Sequence, residues 1–551
     1  LKFCVGGRWE TVRCMEDQGE LCQAGACVTP TEYDDPEWDP CEGEAAATEE
    51  TLYEKMVYFE DRAANLHIHP DLKWFSGVEL PCKEVACTGG EEPPCYDCTQ
   101  SAVAEEEATW EDVAYWRTGE NDGLWSALYL TAQAYRYGAT GSTEALENVK
   151  ILMRGQQDRM KVTSVPGIFT RQYIPPNVPG IACPEDLERY VPDEDKVNNK
   201  WVKVGDDGCL QYVDADTMEW VSSDRCGLDD YAGWCFLDNV SQDEYSGHML
   251  ALAAVARLVD DPEVQDMVYG LLLQVGQHLT ENGMELVDWD GRRTEHGWLW
   301  PPVVFGGFMA AMSMAYMKVC AEVTGEEEFH FWYDECMLQK SGQRPEECFQ
   351  DNFAVAEEPF DTLLSEMLLY VGRDSCGSNW NNFSMHMLHM HTLIWYERDP
   401  LYRALYQESL RDDVFDPPGD RARKLIHQHN ALFNFMYAAH KPLGPGTDGP
   451  AHDVVRDGIC MLRQFPASTH ENTMECPPVA CGEPVCDGRR GDPLTDYCRT
   501  AAERCMGTFI WWRNPYTYKT CEENPRKIHP PADYLLPYWM GRYYGFIDEE
   551  M

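Results

Sequence analysis

The strongest constraint on this chain is a pattern that recurs four times. A long run that is apolar on all sides meets a short junction, and a more polar run follows. The copies are "GLWSALYLTAQAYRYGATGSTEALENVKILMRG", "YSGHMLALAAVARLVDDPEVQDMVYGLLLQVGQHL", "FGGFMAAMSMAYMKVCAEVTGEEEFHFWYDECM" and "NFSMHMLHMHTLIWYERDPLYRALYQESL". Asp261 and Asp399 each precede a proline, which suits an N-cap with Pro at the first helical position. Gly141 and Gly325 suit the end of the preceding helix. Acids then fill the first turn of the second helix, where the helix dipole favours them. Each copy therefore predicts an αα-hairpin with one buried and one outer helix.

A fifth pair is expected from "KLIHQHNALFNFMYAAH" and "GPAHDVVRDGICMLRQF". A sixth would join the segment before Trp125 to the terminal "ADYLLPYWMGRYYGF" and close a ring. The expected fold is mainly α: an (α/α)5-6 toroid of helical hairpins over residues 105–551, with insertions at 162–240 and 470–530. The junctions at 141, 261, 325 and 399 are too unevenly spaced for a short-period solenoid.

The first hundred residues read differently. Residues 1–44 are expected to form a small Cys-rich, disulfide-stapled module, and residues 45–104 an acidic linker with a second Cys-rich segment. The chain has 24 cysteines, clustered in Gly- and Pro-rich stretches, which points to disulfides formed in an oxidising compartment. "CYDC" is the only CxxC and has no partner motif for zinc. No signal peptide is visible from Leu1, so a processed, exported chain is expected: extracellular, periplasmic or at the cell surface. The uncharged stretch "LWPPVVFGGFMAAMSMAYM" carries a Pro pair and a Gly pair, and so predicts a buried helix and no membrane insertion. Asn239 and Asn382 match the glycosylation sequon.

Lys plus Arg number 44 against 95 Asp plus Glu, a net charge of −51. Such a polyanion repels nucleic acid and anionic membranes. The acid-rich "VGDDGCLQYVDADTMEW" offers ligands for a structural calcium ion but lacks the ordered loop of a dedicated site, and no other cofactor is implied.

Inner helices apolar on all sides, paired with amphipathic outer ones, together with "NDGLW", "SQDEYSGH" and "DYLLPYWMGRYYG", resemble uncharacterised exported bacterial proteins with an (α/α)6 toroid. Many glycoside hydrolases and polysaccharide lyases use that fold. The resemblance implies a glycan or polysaccharide as partner, with catalytic acids at or just before the starts of inner helices. Here that selects Glu120 and Asp122 in "GENDGLW", and Asp243 and Glu244 in "SQDEYSGH".

Each candidate also has a plain structural role. Ser241 and Glu244 have the spacing of a capping box, and Glu244 and His248 could simply pair at i and i+4. Capping does not account for Asp243, Tyr245 and His248 together ahead of so apolar a helix. Asp122 and Asp243, with Glu244 as substitute, would make the carboxylate pair of a glycosidase, one acid and one base or nucleophile. "LVDWDGRRTEHGWLWPP" is a tight turn by its Asp-Gly, or a rim loop offering Arg293, His296 and Trp298. Trp380 and Asn382 are further candidates for substrate binding.

His386, His389 and His391 alternate with methionines as copper ligands would, but the histidines fall on different helix faces, as do His427 and His429. No metal site is therefore assigned, and a copper-binding exported protein stays the third reading, with a site shared between the two segments left open. A lyase would use Tyr245 or His248 as base, and Asn379, Asn381 or Asn382 to neutralise a uronate. The scarcity of basic residues favours hydrolysis of a neutral or weakly charged glycan, unless the cleft is locally positive. The expectation is thus a carbohydrate-active enzyme, a glycoside hydrolase ahead of a polysaccharide lyase. A non-catalytic surface protein is the rival from another class.

Overall fold

The computed structural model describes residues 50–87, 94–192, 199–349, 352, 354–367, 376–418, 424–440, 448–471, 484–518, 521, 523–549 and 551, with four short strands within 2–28. The chain is mainly helical. The main helices are α1 (Leu52–Leu66), α2 (Asp122–Thr140), α3 (Thr143–Lys161), α4 (Gln242–Leu258) and α5 (Pro262–Glu281). They continue with α6 (Gly307–Thr324), α7 (Glu327–Phe331), α8 (Trp380–Tyr396) and α9 (Pro400–Ser409). The last three are α10 (Ala431–Ala439), α11 (Asp448–Arg463) and α12 (Ala532–Tyr543).

The junctions form as their residues dictate. The Asp261 carboxylate accepts from the Val264 amide at 3.2 Å, and Asp399 from the Leu401 amide at 2.9 Å, each with a proline at the start of the helix. Gly141 and Gly325 end α2 and α6 at φ 65° and 73°, a left-handed conformation that costs glycine nothing.

Inner helices touch one another in a cyclic order: α2 with α4, α4 with α6, α6 with α8, α8 with α10, α10 with α12, and α12 with α2. Each has an outer companion: α3 on α2, α5 on α4, α7 on α6, α9 on α8, α11 on α10 and α1 on α12. The inner helices are apolar all round because they are covered all round. In α6, residues Gly307 through Ala321 are all buried; of the apolar stretch read as a core helix, residues 307–317 lie in this element, while 299–306 precede it and include exposed Val303, Val304 and Phe305. Each large apolar side chain so enclosed contributes about 1.5–3 kcal/mol. No helix among the described residues is long and apolar enough to cross a membrane.

Segment 45–104 differs from the linker expected of it. Its α1 is a 15-residue helix with a complete Thr51–Glu54 capping box, and it buries Leu52, Met56, Phe59, Ala63 and Leu66. The Lys55 ammonium donates to the carbonyls of Leu462, Arg463 and Phe465, which binds α1 to the end of α11. The apolar spacing is helical, but Lys55, Glu60 and Arg62 are buried with it and hide the stripe in the sequence. The companion of α12 is therefore α1, not the segment directly before Trp125. Strand Gly77–Glu79 joins Tyr115–Arg117 on one side and Asn524–Ile528 on the other, so this segment is sewn into the sheet that also holds His470–Glu471.

The 162–240 insertion is a five-stranded antiparallel sheet ordered 220–222, 210–213, 201–204, 235–237 and 172–174. It has apolar clusters of its own, around Val202, Phe236 and Leu210 on one side and Ile174 and Val213 on the other. Cys183–Cys235 and Cys209–Cys226 staple it. Seven disulfides join described residues. Both cysteines of "CYDC" are among them, Cys95 bonded to Cys87 and Cys98 to Cys82. The bridging of the 1–44 module lies outside the described residues.

Candidate active site

The starts of α2, α4 and α8 come together at one end of the helical assembly, and segment 484–518 lies against them. Between them is a cleft of about 500 Å³. Asn121 and Trp125 line it from α2, Asp243 from α4, and Asn379, Trp380 and Asn381 from the start of α8. The facing wall carries Arg489, Arg490, Asp492, Trp512 and Arg513. Cys376–Cys486 ties that wall to the chain just before α8, and Cys505–Cys521 closes its far side.

Asp243 is the carboxyl of "SQDEYSGH" that reaches the cleft. Burial raises its pKa, opposed by a 2.5 Å hydrogen bond from the Asn381 side-chain amide and by Arg171, His296 and Arg490 nearby. The Trp512 indole donates to the other end of the Asn381 amide, so Asn381 is held between the two. Trp512 packs edge-on against Trp125 at 5.7 Å, and Trp125 stacks on Phe509 at 5.9 Å. The Trp380 indole donates to Gln428 at 3.2 Å and remains on the cleft wall.

Glu244, the next residue, turns inward. Ser241 occupies the N-cap of α4 but makes no side-chain cap bond, so the expected capping box does not form. The Glu244 carboxyl instead accepts from the Leu124 amide at 2.8 Å, satisfying a free N–H at the start of α2. Burial pushes its pKa up to about 8, against the pull of Arg171 and Arg159. His248 lies 3.7 Å from it beneath Phe169, and burial drives the imidazole pKa well down. Burial thus favours the neutral form of both groups over a charged pair. Gly123 makes this packing possible: a Cβ there would sit 2.2 Å from Glu244 Oε2 and 2.8 Å from His248 Nε2.

Asp122 belongs to the same buried layer. It accepts from the Gly119 amide at 2.9 Å, and burial pushes its pKa up to about 7. It is not among the residues lining the cleft, so of the expected carboxylate pair only Asp243 is there. The other carboxylate among the described lining residues is Asp492. Tyr245, the base expected of a lyase, donates its hydroxyl to the Gly167 carbonyl inside the core, and His248 is fully buried.

The remaining candidates are dispersed. Glu120 is exposed, and its backbone carbonyl rather than its side chain takes a 2.9 Å bond from buried Arg171. Arg293 pairs with Glu285 at 2.9 Å and lies over the Trp298 ring, on a hairpin away from the cleft lining. Asn382 is buried and accepts from Asn379 at 2.7 Å, while its neighbour Asn381 takes the cleft position.

Three of these histidines have hydrogen-bond partners of their own, whereas neither ring nitrogen of buried His386 has one among the described residues. His389 meets Ser246 at 2.8 Å, His391 meets Tyr135 and His440, and His429 meets Asp457 at 2.6 Å. His386 is buried beside Phe308, and His427 lies in a short turn ahead of α10. Among the described residues no group of three His, Cys, Asp or Glu side chains converges as metal ligands.

The arginine wall was not foreseen. Arg489, Arg490, Arg499, Arg504 and Arg513 all line the cleft, in a segment read only as an insertion. The available signal was their density: five arginines within twenty-five residues of a chain otherwise dominated by acids.

No family model matches this sequence, and no curated protein does. Among solved structures, a glycoside hydrolase family 76 mannosidase from Bacteroides thetaiotaomicron VPI-5482 is similar at 11% identity and a TM-score of 0.36, covering 90% of this chain and 98% of that one. A metagenome-derived glycoside hydrolase family 9 endoglucanase is similar at 12% identity and a TM-score of 0.33, covering 90% of this chain and 80% of that one. At such similarity no residue of this chain is put in correspondence with one of theirs.

Proposed function

We propose that this protein is an exported glycoside hydrolase acting at the cleft where α2, α4 and α8 begin, on a scaffold read as an (α/α)6 ring from the cyclic order of its helices. The observation that carries the reading is Asp243, a carboxyl whose pKa is raised by burial, aimed by Asn381 and flanked by tryptophans. A protonated carboxyl in that position can donate to a glycosidic oxygen as the bond breaks. Asp492 is the second carboxylate within the cleft and takes the role of base or nucleophile. Trp125 and Trp512 supply apolar faces for sugar rings. Asn379 and Asn381 supply amides for hydroxyls.

Hydrolysis fits better than elimination. The described lining residues include two carboxylates but no tyrosine, histidine or lysine that would serve as base for a C5 proton. The disulfides suit an oxidising compartment outside the cytoplasm. The test is a polysaccharide panel on the wild type, Asp243→Asn and Asp492→Asn, reading reducing ends and unsaturated-uronate absorbance together. Reducing ends without absorbance, lost in Asp243→Asn, are expected. Absorbance would make the protein a lyase. Activity undiminished in Asp243→Asn would remove the acid from this cleft.

A further inference from the structure

The chain carries a net charge of −51, yet five arginines line its cleft. Two of the five are structural. Arg504 spends its guanidinium on the carbonyls of Arg499, Ile510, Gln428 and His429 and lies over the Trp511 ring. Arg499 is buried against the Tyr518 ring. The other three are different. Arg489, Arg490 and Arg513 are exposed to the cleft, and none has a hydrogen bond or ion pair among the described residues. Desolvation in the cleft wall lowers the Arg513 pKa, and Arg490 nearby adds a smaller push in the same direction.

In a chain with 95 acids, a surface arginine finds a carboxylate easily. Arg136, Arg154, Arg292, Arg293, Arg411 and Arg526 all do so. Three guanidiniums that make no hydrogen bond or ion pair among the described residues, with Arg490 near enough to Asp243 only to lower its pKa, form a preorganised receptor for negative charge. The arrangement has a cost that an anion would relieve. Guanidinium forks match carboxylate and sulfate oxygens in pairs. A positive recess in a negative surface also focuses field lines on the recess. The hairpin carrying Arg489 and Arg490 is held over Asp243 by Cys376–Cys486, so the charge stands at the reacting end of the cleft.

We propose that the cleft takes an anionic glycan, one bearing carboxylate or sulfate groups, with Arg489, Arg490 and Arg513 as its receptors. This deepens the hydrolase reading and rests on it for the glycan, and it replaces the neutral substrate that net charge alone suggests. The repulsion from the outer surface is outweighed locally because three cations stand within the cleft while the acids are dispersed over the rest of the molecule.

The test is binding, measured by calorimetry on the Asp243→Asn protein so that turnover plays no part. The probes are galacturonate hexamers, the same hexamers after carboxyl reduction, and a sulfated galactan oligomer. Binding of either acidic probe, at least about tenfold tighter than of the reduced hexamer, is expected. The double variant Arg490→Gln/Arg513→Gln should lose about tenfold or more on the acidic probe, with its melting temperature retained and the salt dependence flattened. The two acidic probes distinguish carboxylate from sulfate. Preference for the reduced hexamer, or no binding to any probe, would overturn the proposal. Acidic binding that survives the double variant would move the receptor off these arginines and overturn it as well. Acidic binding with no hydrolysis by the wild type would leave this inference standing and sink the hydrolase reading instead.

Discussion

The cleft and the polar layer beneath it are built from the same kinds of side chain and do opposite things with them. In the cleft, Asp243 meets an orienting amide and open space. One residue later, Glu244 is sealed among Asp122, His248 and Gly123 and caps a neighbouring helix. Both carboxyls have raised pKa values from burial. A perturbed carboxyl therefore marks an active site only when something can reach it. The inner layer's job is to bring α2 and α4 close enough for the cleft to exist.

The sharpest way to break this contrast is to neutralise the two neighbours separately. Asp243→Asn should lower kcat by about a hundredfold or more with little change in melting temperature. Glu244→Gln mimics the protonated acid already present and should leave both nearly intact. A reversed result in steady-state kinetics would exchange the two roles. Next in size is Gly123→Ala. Its methyl would overlap Glu244 Oε2 and His248 Nε2, so a loss of about 3 kcal/mol in urea unfolding is expected. An unchanged midpoint would mean that the two helices are not in close contact there.

Proton linkage probes the buried layer as a whole. Asp122, Glu244 and Asp533 have folded-state pKa values of about 7, 8 and 8, above their unfolded values. Their stabilisation is complete below the unfolded carboxyl pKa and is lost as pH rises through about 7 to 8. Buried His67, His278, His386 and His391 are depressed to about 4, 4, 3 and 3, so their contribution is present above 6.5 and is lost as pH falls through those values. The two sets oppose each other below pH 6.5, and only the carboxyls act above it. Melting temperature should therefore fall between pH 6.5 and 8.5. A rise across that window would contradict the protonated layer. The smallest effect belongs to Asn381→Ala. Its amide favours the ionised form of Asp243, so its removal should move the alkaline limb of kcat/KM to higher pH, with the fold unchanged.

The legible part of the fold was the part with local causes. The Asp-Pro starts, the glycine ends and the all-round apolar runs are each readable within a few residues, and the hairpins follow from them. Helix α1 was missed because its buried face includes Lys55, Glu60 and Arg62, whose partners are hundreds of residues away in the chain for Lys55 and over seventy for Glu60. "SQDEYSGH" stands out in the sequence for its titratable residues, but its spacing suggested a capping box that the folded chain does not make.

The sequence by itself determined the helices of the repeated hairpins, which of them are covered on all sides, and that cysteines would staple the irregular stretches. Those properties depend on neighbours three or four residues away. Only the tertiary structure decided that Asp243 opens on a cleft while Glu244 does not, and that the facing wall is positive in a negative molecule. Those depend on which helix starts are brought together, and on a disulfide between residues 376 and 486 that joins positions 110 apart in the chain. Local periodicity carries no information about such a meeting.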